Sequence, residues 1–485
     1  MKHMDDKVMK IGEFDLNMGP EEREAGEAMR HRTLAAWAYI YSLPAFLALR
    51  QRSDFILGWE YAVNQGATVQ SGASAGAVGA ADVPPLGAWM MLPNRSNPRT
   101  ATVLPAVDHL YGAAILQMDK LGPIVVSVPA NPTDRYYSVV FVDAFWNNFA
   151  YIGPQWTGNL ENHFLLTPPG WRGEVPEWVT HLWEAPSNLV IAFNRVMVSS
   201  DDSDLEEVRQ WRKGFRFTQL DKWRDDDRSM PLVDLSAYRY PEIRALNDPF
   251  AYFRIAFDFI AENPSGPQDL GLVKLFRTVG IGAGIDPPSD PKLRSAIAAG
   301  VRDAQFMLNA GTSGGTFKDG WKIPSMNVGK AGPFIYERAV VQLNQIGSNI
   351  PQESVYYTAY TDQTGMNLDG AKGTYSIIFK GDKLPPVKRP GFWSLTMYKR
   401  SDSLLVDNPL NRYHVRTDTP GLKPDQDGTI AIFLSPEKPE MAPEGNWLPA
   451  PRQEFVVLMR LYYPTADVLE YRWTPPAIIK IGQSP

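Results

Sequence analysis

Glu454-Phe455-Val456-Val457-Leu458-Met459-Arg460-Leu461-Tyr462 is a run of nine residues without a glycine or proline. Successive side chains of a strand point to opposite faces, so Val456, Leu458, Arg460 and Tyr462 share one face. Phe455, Val457, Met459 and Leu461 share the other. Both faces are apolar, which predicts a strand covered on both sides and a guanidinium taken out of water. A buried cation without partners is strongly destabilising, so a carboxylate or several carbonyls must meet Arg460, with Asp362 and Asp369 as candidates. Arg460 is thus expected to anchor an interior polar network that reaches a cleft.

Working outward, Tyr375–Phe379, Trp393–Tyr398, Thr429–Leu434 and Val468–Trp473 read as further strands of the same unit. Upstream, Ile124–Val128, Tyr136–Val142 and Leu189–Val198 are β-branched or aromatic runs bounded by Pro, Asn and Gly. Between these groups the apolar spacing is helical: Leu205–Trp211, Pro249–Ala261, Asp269–Thr278, Pro291–Asn309 and Tyr336–Ile346. Residues 21–62 are helical as well, with Pro44 expected to end or kink the segment. The reading is an α+β fold: two β-rich, jelly-roll- or sandwich-like, mainly antiparallel domains with an N-terminal helical segment and a helical middle. The division expected is a tail at 1–20, helices plus a first β domain at 21–220, a helical connection at 221–350 and a second β domain at 351–485. No internal repeat of fixed period is visible.

At 485 residues the chain exceeds what one core usually supports. Lys and Arg number 48 against 54 Asp and Glu, a net charge of −6 that argues against a nucleic-acid partner. Cysteine is absent, which excludes disulfides, thiolate nucleophiles and Cys-ligated metal. No apolar run is long enough to span a membrane, and the first twenty residues hold no apolar core of a signal peptide, so a soluble protein of unassigned location is expected.

Motifs for chemistry are few. Gly72-Ala73-Ser74-Ala75-Gly76 has the spelling of a hydrolase nucleophile elbow but no strand before it or helix after it. Gly280-Ile281-Gly282-Ala283-Gly284 lacks the spacing of a dinucleotide loop. No metal-binding motif and no organic cofactor signature is present, so neither is expected. Three polar clusters stand out instead. Asp108, His109 and Tyr111 lie together ahead of Arg135 and Tyr137. Asp143, Trp146, Asn148 and Trp156 leave an apolar strand in quick succession. Trp393, Arg412 and Trp447 accompany Tyr413, His414 and Arg460 near the C-terminus. Each cluster would equally serve as structural hydrogen bonding or as a domain contact.

The spellings Leu92-Pro93-Asn94, Gly122-Pro123-Ile124-Val125-Val126-Ser127-Val128-Pro129, Arg135-Tyr136-Tyr137 and Tyr151-Ile152-Gly153 resemble the first domain of a two-domain bacterial family of unknown function. Phe392-Trp393-Ser394-Leu395-Thr396-Met397-Tyr398, Asn411-Arg412-Tyr413, Asn446-Trp447-Leu448-Pro449-Ala450-Pro451 and Arg460-Leu461-Tyr462 resemble its second. These are the domains of unknown function 1254 and 1214. The resemblance implies two jelly-roll-like domains joined by helices, and relatives that often look exported; it implies no reaction. Where that family usually carries Asn and Thr, this chain has Ala106 and His109.

Three functions are compatible. The first is an enzyme without an organic cofactor, a hydrolase or a proton-transfer lyase or cyclase, acting on a small, partly apolar molecule. His109 would be its acid or base, with Asp108 beside it and Tyr111 or Arg135 stabilising negative charge. Tyr137, Asp143, Trp146, Asn148, Trp156, Trp393, Arg412 and Trp447 would contact the ligand. The second is a binding protein for a sugar or lipid-like ligand. The third is a homo-oligomeric structural or interaction protein whose aromatics form interfaces.

Overall fold

The computed structural model describes residues 18–64, 68–70, 87–100, 104–225, 227–228, 243, 246–264, 266–313 and 316–482. Gly72–Gly76 and most of the expected tail lie outside them.

The first half contributes β1 (Thr68–Gln70), β2 (Trp89–Met91), β3 (His109–Gln117), β4 (Ile124–Val128), β5 (Tyr137–Asp143), β6 (Asn148–Ile152), β7 (Asn162–Thr167), β8 (Leu182–Glu184), β9 (Leu189–Met197) and β10 (Arg216–Gln219). The second contributes β11 (Thr316–Lys318), β12 (Trp321–Ile323), β13 (Ser354–Ala359), β14 (Thr374–Phe379), β15 (Trp393–Lys399), β16 (His414–Arg416), β17 (Ile430–Ser435), β18 (Trp447–Pro449), β19 (Phe455–Tyr462) and β20 (Ile479–Gly482). The architecture is α+β, with mostly antiparallel sheets; β7/β8 and β17/β18 are parallel pairs.

The two halves have one topology. A six-stranded sheet ordered β1-β2-β3-β9-β5-β6 is matched by β11-β12-β13-β19-β15-β16. A four-stranded sheet ordered β10-β4-β7-β8 is matched by β20-β14-β17-β18. The register matches too. Arg195 of β9 stands between Tyr111 of β3 and Ser138 of β5. Arg460 of β19 stands between Tyr356 of β13 and Ser394 of β15. The fold is a duplication, although the sequence carries no repeat of fixed period. It escapes a fixed-period search because the offset drifts from 245 residues at Tyr111/Tyr356 to 256 at Ser138/Ser394 and 265 at Arg195/Arg460.

In each half the six- and four-stranded sheets close on an apolar core. Trp89 stacks on Phe217 at 4.7 Å in the first, and Tyr375 meets Phe455 edge-on at 5.7 Å in the second. The strand that opened the sequence reading is buried throughout. Phe455, Val457, Met459 and Leu461 enter the second sandwich core. Leu458 packs with Val107, and Tyr462 with Tyr136, both from the first half. The outer faces of β9 and β19 therefore meet at the junction between halves.

Three expectations are corrected. The helix Pro20–Asn64 does not end at Pro44, because Leu43, Ala45 and Phe46 are buried and the Pro44 carbonyl accepts from Trp146 Nε1 at 3.0 Å. Packing there outweighs the roughly 3 kcal/mol that an interior proline costs. Val468–Trp473 is not a strand: Ala466–Leu469 is a helical turn, and the Trp473 amide donates to the Asp467 carbonyl. Asp362 and Asp369 do not meet Arg460; Asp362 caps its own turn, and Asp369 pairs with Lys372.

Candidate functional site

Each central strand carries one arginine on the face turned to the junction. Arg195 donates to Asn349 Oδ1 at 3.1 Å and to the Gly347 carbonyl at 2.9 Å. Arg460 donates to Thr396 Oγ1 at 3.0 Å, Tyr398 Oη at 2.9 Å and the Leu104 carbonyl at 2.9 Å. Each guanidinium thus reaches the segment entering the other half, and Leu104 stands as far before Tyr111 as Asn349 before Tyr356. Neither has an ion-pair partner among the described residues. Burial opposes their charges, but the surrounding phenolic oxygens, led by Tyr356 at Arg195 and Tyr398 at Arg460, keep both cationic.

These arginines line a cavity of about 650 Å³ together with Tyr111, Tyr356 and Tyr462. Leu104, Leu343, Ile346 and Leu458 give it apolar walls, and Leu47, Arg50, Gln51 and Asp54 of the first helix border it. The pair Arg50 and Asp54 are 3.6 Å apart.

Two buried carboxylates strap the halves together at equivalent places. Asp108, from the first half, accepts from Ser394 Oγ at 2.9 Å and His414 Nδ1 at 3.0 Å, with Tyr462 Oη at 3.5 Å. Burial opposes its charge, yet His414, His109 and Arg416 hold it well below the usual carboxylate range. Glu353, from the second half, accepts from Tyr136 Oη at 2.5 Å and Trp156 Nε1 at 2.6 Å. Burial raises its pKa to about 7 against those donors. Tyr136 and Phe392, also equivalent by register, touch at 5.6 Å, so the relation between halves passes through the junction.

A second cleft, of about 520 Å³, lies beyond Asp108 and is lined by His414, Arg412, Tyr413 and Arg95. Burial lowers the proton affinity of His414 against the pull of Asp108. Arg412 is held by the carbonyls of Glu444 and Trp447.

The expected residues separate accordingly. Tyr111 reaches the large cavity, and Arg412 the small cleft. Asp108 finds its imidazole in His414, not in His109. His109 is sealed, with neither ring nitrogen hydrogen-bonded. It sits edge-on to Tyr462 at 4.9 Å, and burial pushes its pKa down to about 3. Arg135 is engaged by Asp204 and the Met197 carbonyl. Asp143 closes its own turn with Phe145 and Asn147. Trp146 packs near Gly347, and Asn148 donates to the Ser348 carbonyl at 2.8 Å, so both support the cavity rim. Trp156 serves Glu353. Tyr137 lies buried in the first core and Trp393 in the second. Trp447 donates to the Ser435 carbonyl. Sequence reading passed over Arg195 and Tyr356, while Tyr462 was placed on the face of Arg460; the signal for Arg195 was present, since it interrupts an apolar strand as Arg460 does. No cluster of three or more metal-ligating side chains occurs among the described residues.

Residues 87–219 match the family model of a protein of unknown function (DUF1254), and residues 353–466 that of another (DUF1214). The chain belongs to the two-domain DUF1254–DUF1214 family. The large cavity takes Tyr111 and Arg195 from the DUF1254 match and Tyr356 and Arg460 from the DUF1214 match. The crystal structure of the VPA0106 protein from Vibrio parahaemolyticus is similar over 93% of this chain and 100% of that one, with 21% identity and a TM-score of 0.68. That likeness shows a shared fold. A putative uncharacterized protein from Burkholderia cenocepacia aligns over 94% of this chain and 96% of that one, at 11% identity and a TM-score of 0.42. A search of curated proteins finds no match. Among the described residues of this DUF1254–DUF1214 protein, no helix is long and apolar enough to cross a membrane.

Proposed function

We propose that this protein binds a small, partly apolar carboxylate in the cavity between its halves. The supporting observation is the pair of buried guanidiniums, Arg195 and Arg460, that line one cavity without a carboxylate of their own. Guanidinium presents a planar fork of donors that matches a carboxylate, and its charge is worth more away from water. The leucines and Ile346 around it suit an apolar body. The test is a thermal-shift and calorimetric panel of hydrophobic carboxylates against their methyl esters and neutral sugars. The acids are expected to raise the melting temperature, and Arg195→Met or Arg460→Met to remove that response. An equal response to the esters, or a larger one to the sugars, would reject the reading.

A second reading, proton-transfer catalysis, is favoured by the Asp108–His414 pair beside the smaller cleft. A buried carboxylate that orients an imidazole is the arrangement of a general base.

A further inference from the structure

We infer that the cavity's ligand is two-ended: an α,ω-dicarboxylate, one carboxylate for Arg195 and one for Arg460, with an apolar chain between. The inference rests on the carboxylate reading above and goes beyond it in fixing the number and placement of charges. Its ground is the duplication. Arg195 with Tyr111, and Arg460 with Tyr356, occupy the same register in two sheets of one topology. The guanidiniums bond crosswise to equivalent segments, Asn349 and Leu104. The cavity therefore holds two copies of one half-site facing each other, as two subunits of a symmetric dimer would present it.

Charge points the same way. Of the charges lining the cavity, Arg50 and Asp54 answer each other, whereas the buried Arg195 and Arg460 have no carboxylate partner among the described residues, and the neighbouring buried carboxylates are committed elsewhere: Asp108 to His414 and Ser394, Glu353 to Tyr136 and Trp156. A monoanion would leave one buried guanidinium unanswered, whereas a dianion neutralises both. Leu458, Leu343 and Ile346 line the same cavity, which gives an apolar chain side chains to pack against.

The experiment is calorimetry on the unmodified full chain with succinate, adipate, suberate and sebacate, each beside its monomethyl ester. The ester removes one charge and leaves the chain length almost unchanged, so no variant need fold. The diacid of best-fitting length is expected to bind about tenfold or more tightly than its monoester, the worth of one charged contact. Affinity is expected to peak at one length in the series. Arg195→Gln and Arg460→Gln are each expected to bring the diacid down to the monoester's affinity, with both variants checked for an unchanged melting temperature. Monoester and diacid binding equally would overturn the two-ended inference and leave the carboxylate reading standing. Binding of neither acid nor ester would overturn both.

Discussion

Glu353 and Asp108 hold equivalent positions, yet their proton affinities diverge, and their neighbours explain why. Asp108 has the cationic Arg416 and the imidazole of His414 close by. The donors that Glu353 accepts from, Tyr136 and Trp156, are neutral, and burial outweighs both them and the pull of Arg195, so its pKa stands near 7. The unfolded value is 4.5, so the folded chain binds more protons between the two. Stability from this group is full below 4.5 and falls as pH rises towards 7, by on the order of 3 kcal/mol. Glu353→Gln cannot titrate. Its melting temperature should gain on that of the unmodified chain as pH climbs through this window, read by calorimetry; parallel curves would refute the assignment. At this scale the sequence was partly legible. Arg460 announced its burial by sitting in an unbroken apolar run, and Asp108 was legible as a member of a polar cluster, though not as a buried one. The pairing of Asp108 with His414 was not legible, because it joins residues brought together only by the facing of two sheets.

Elements were more legible than contacts. Strands such as Ile124–Val128 and helices such as Pro249–Glu262 follow from local apolar period, and they stand close to where that period puts them. The β11–β12 hairpin was missed inside a region read as helical, although Asp319-Gly320 supplies the two positive-φ residues, at 53° and 84°, that a tight hairpin needs. The repeat was missed because loops of unequal length separate its matching strands. Helix contact is another property that local pattern hides. Gly300, in the helix Pro291–Ser313, faces the helix Pro20–Asn64 so closely that a Cβ would lie 2.1 Å from the Arg32 carbonyl oxygen. Gly300→Ala gains about 1 kcal/mol in helix propensity but must push the two helices apart. Overpacking of this kind costs about 1–3 kcal/mol, so a net loss of stability is expected in chemical denaturation. A variant as stable as the parent or more so would show that the helices adjust freely.

At the scale of the molecule, the halves share no sheet among the described residues, and alongside the apolar contact of Leu458 with Val107 they are coupled by polar and aromatic groups. Arg416 of the second half donates to the carbonyls of Asp108 and Val198 of the first. Asp108 accepts from Ser394, while Glu353 accepts from Tyr136. These groups are buried at the junction, so removing one partner from the intact molecule leaves its mate uncompensated and out of water. Leaving one such charge unpaired costs about 3–5 kcal/mol, comparable with a large share of a domain's net stability. The first helix adds a covalently distant tie, since Arg32 pairs with Asp303 of the helix that leads to the second half. Duplicated halves with separate cores would ordinarily melt in two steps. Here the strapped junction predicts one: a single calorimetric transition whose measured enthalpy equals the van't Hoff enthalpy. Asp108→Ala should lower the midpoint and broaden or split the transition, because His414 and Ser394 of the second half then lose the carboxylate that ties them to the first, although Arg416 keeps Asp418. Two resolved transitions in the unmodified chain would mean that the junction is a passive contact and that each half stands on its own core.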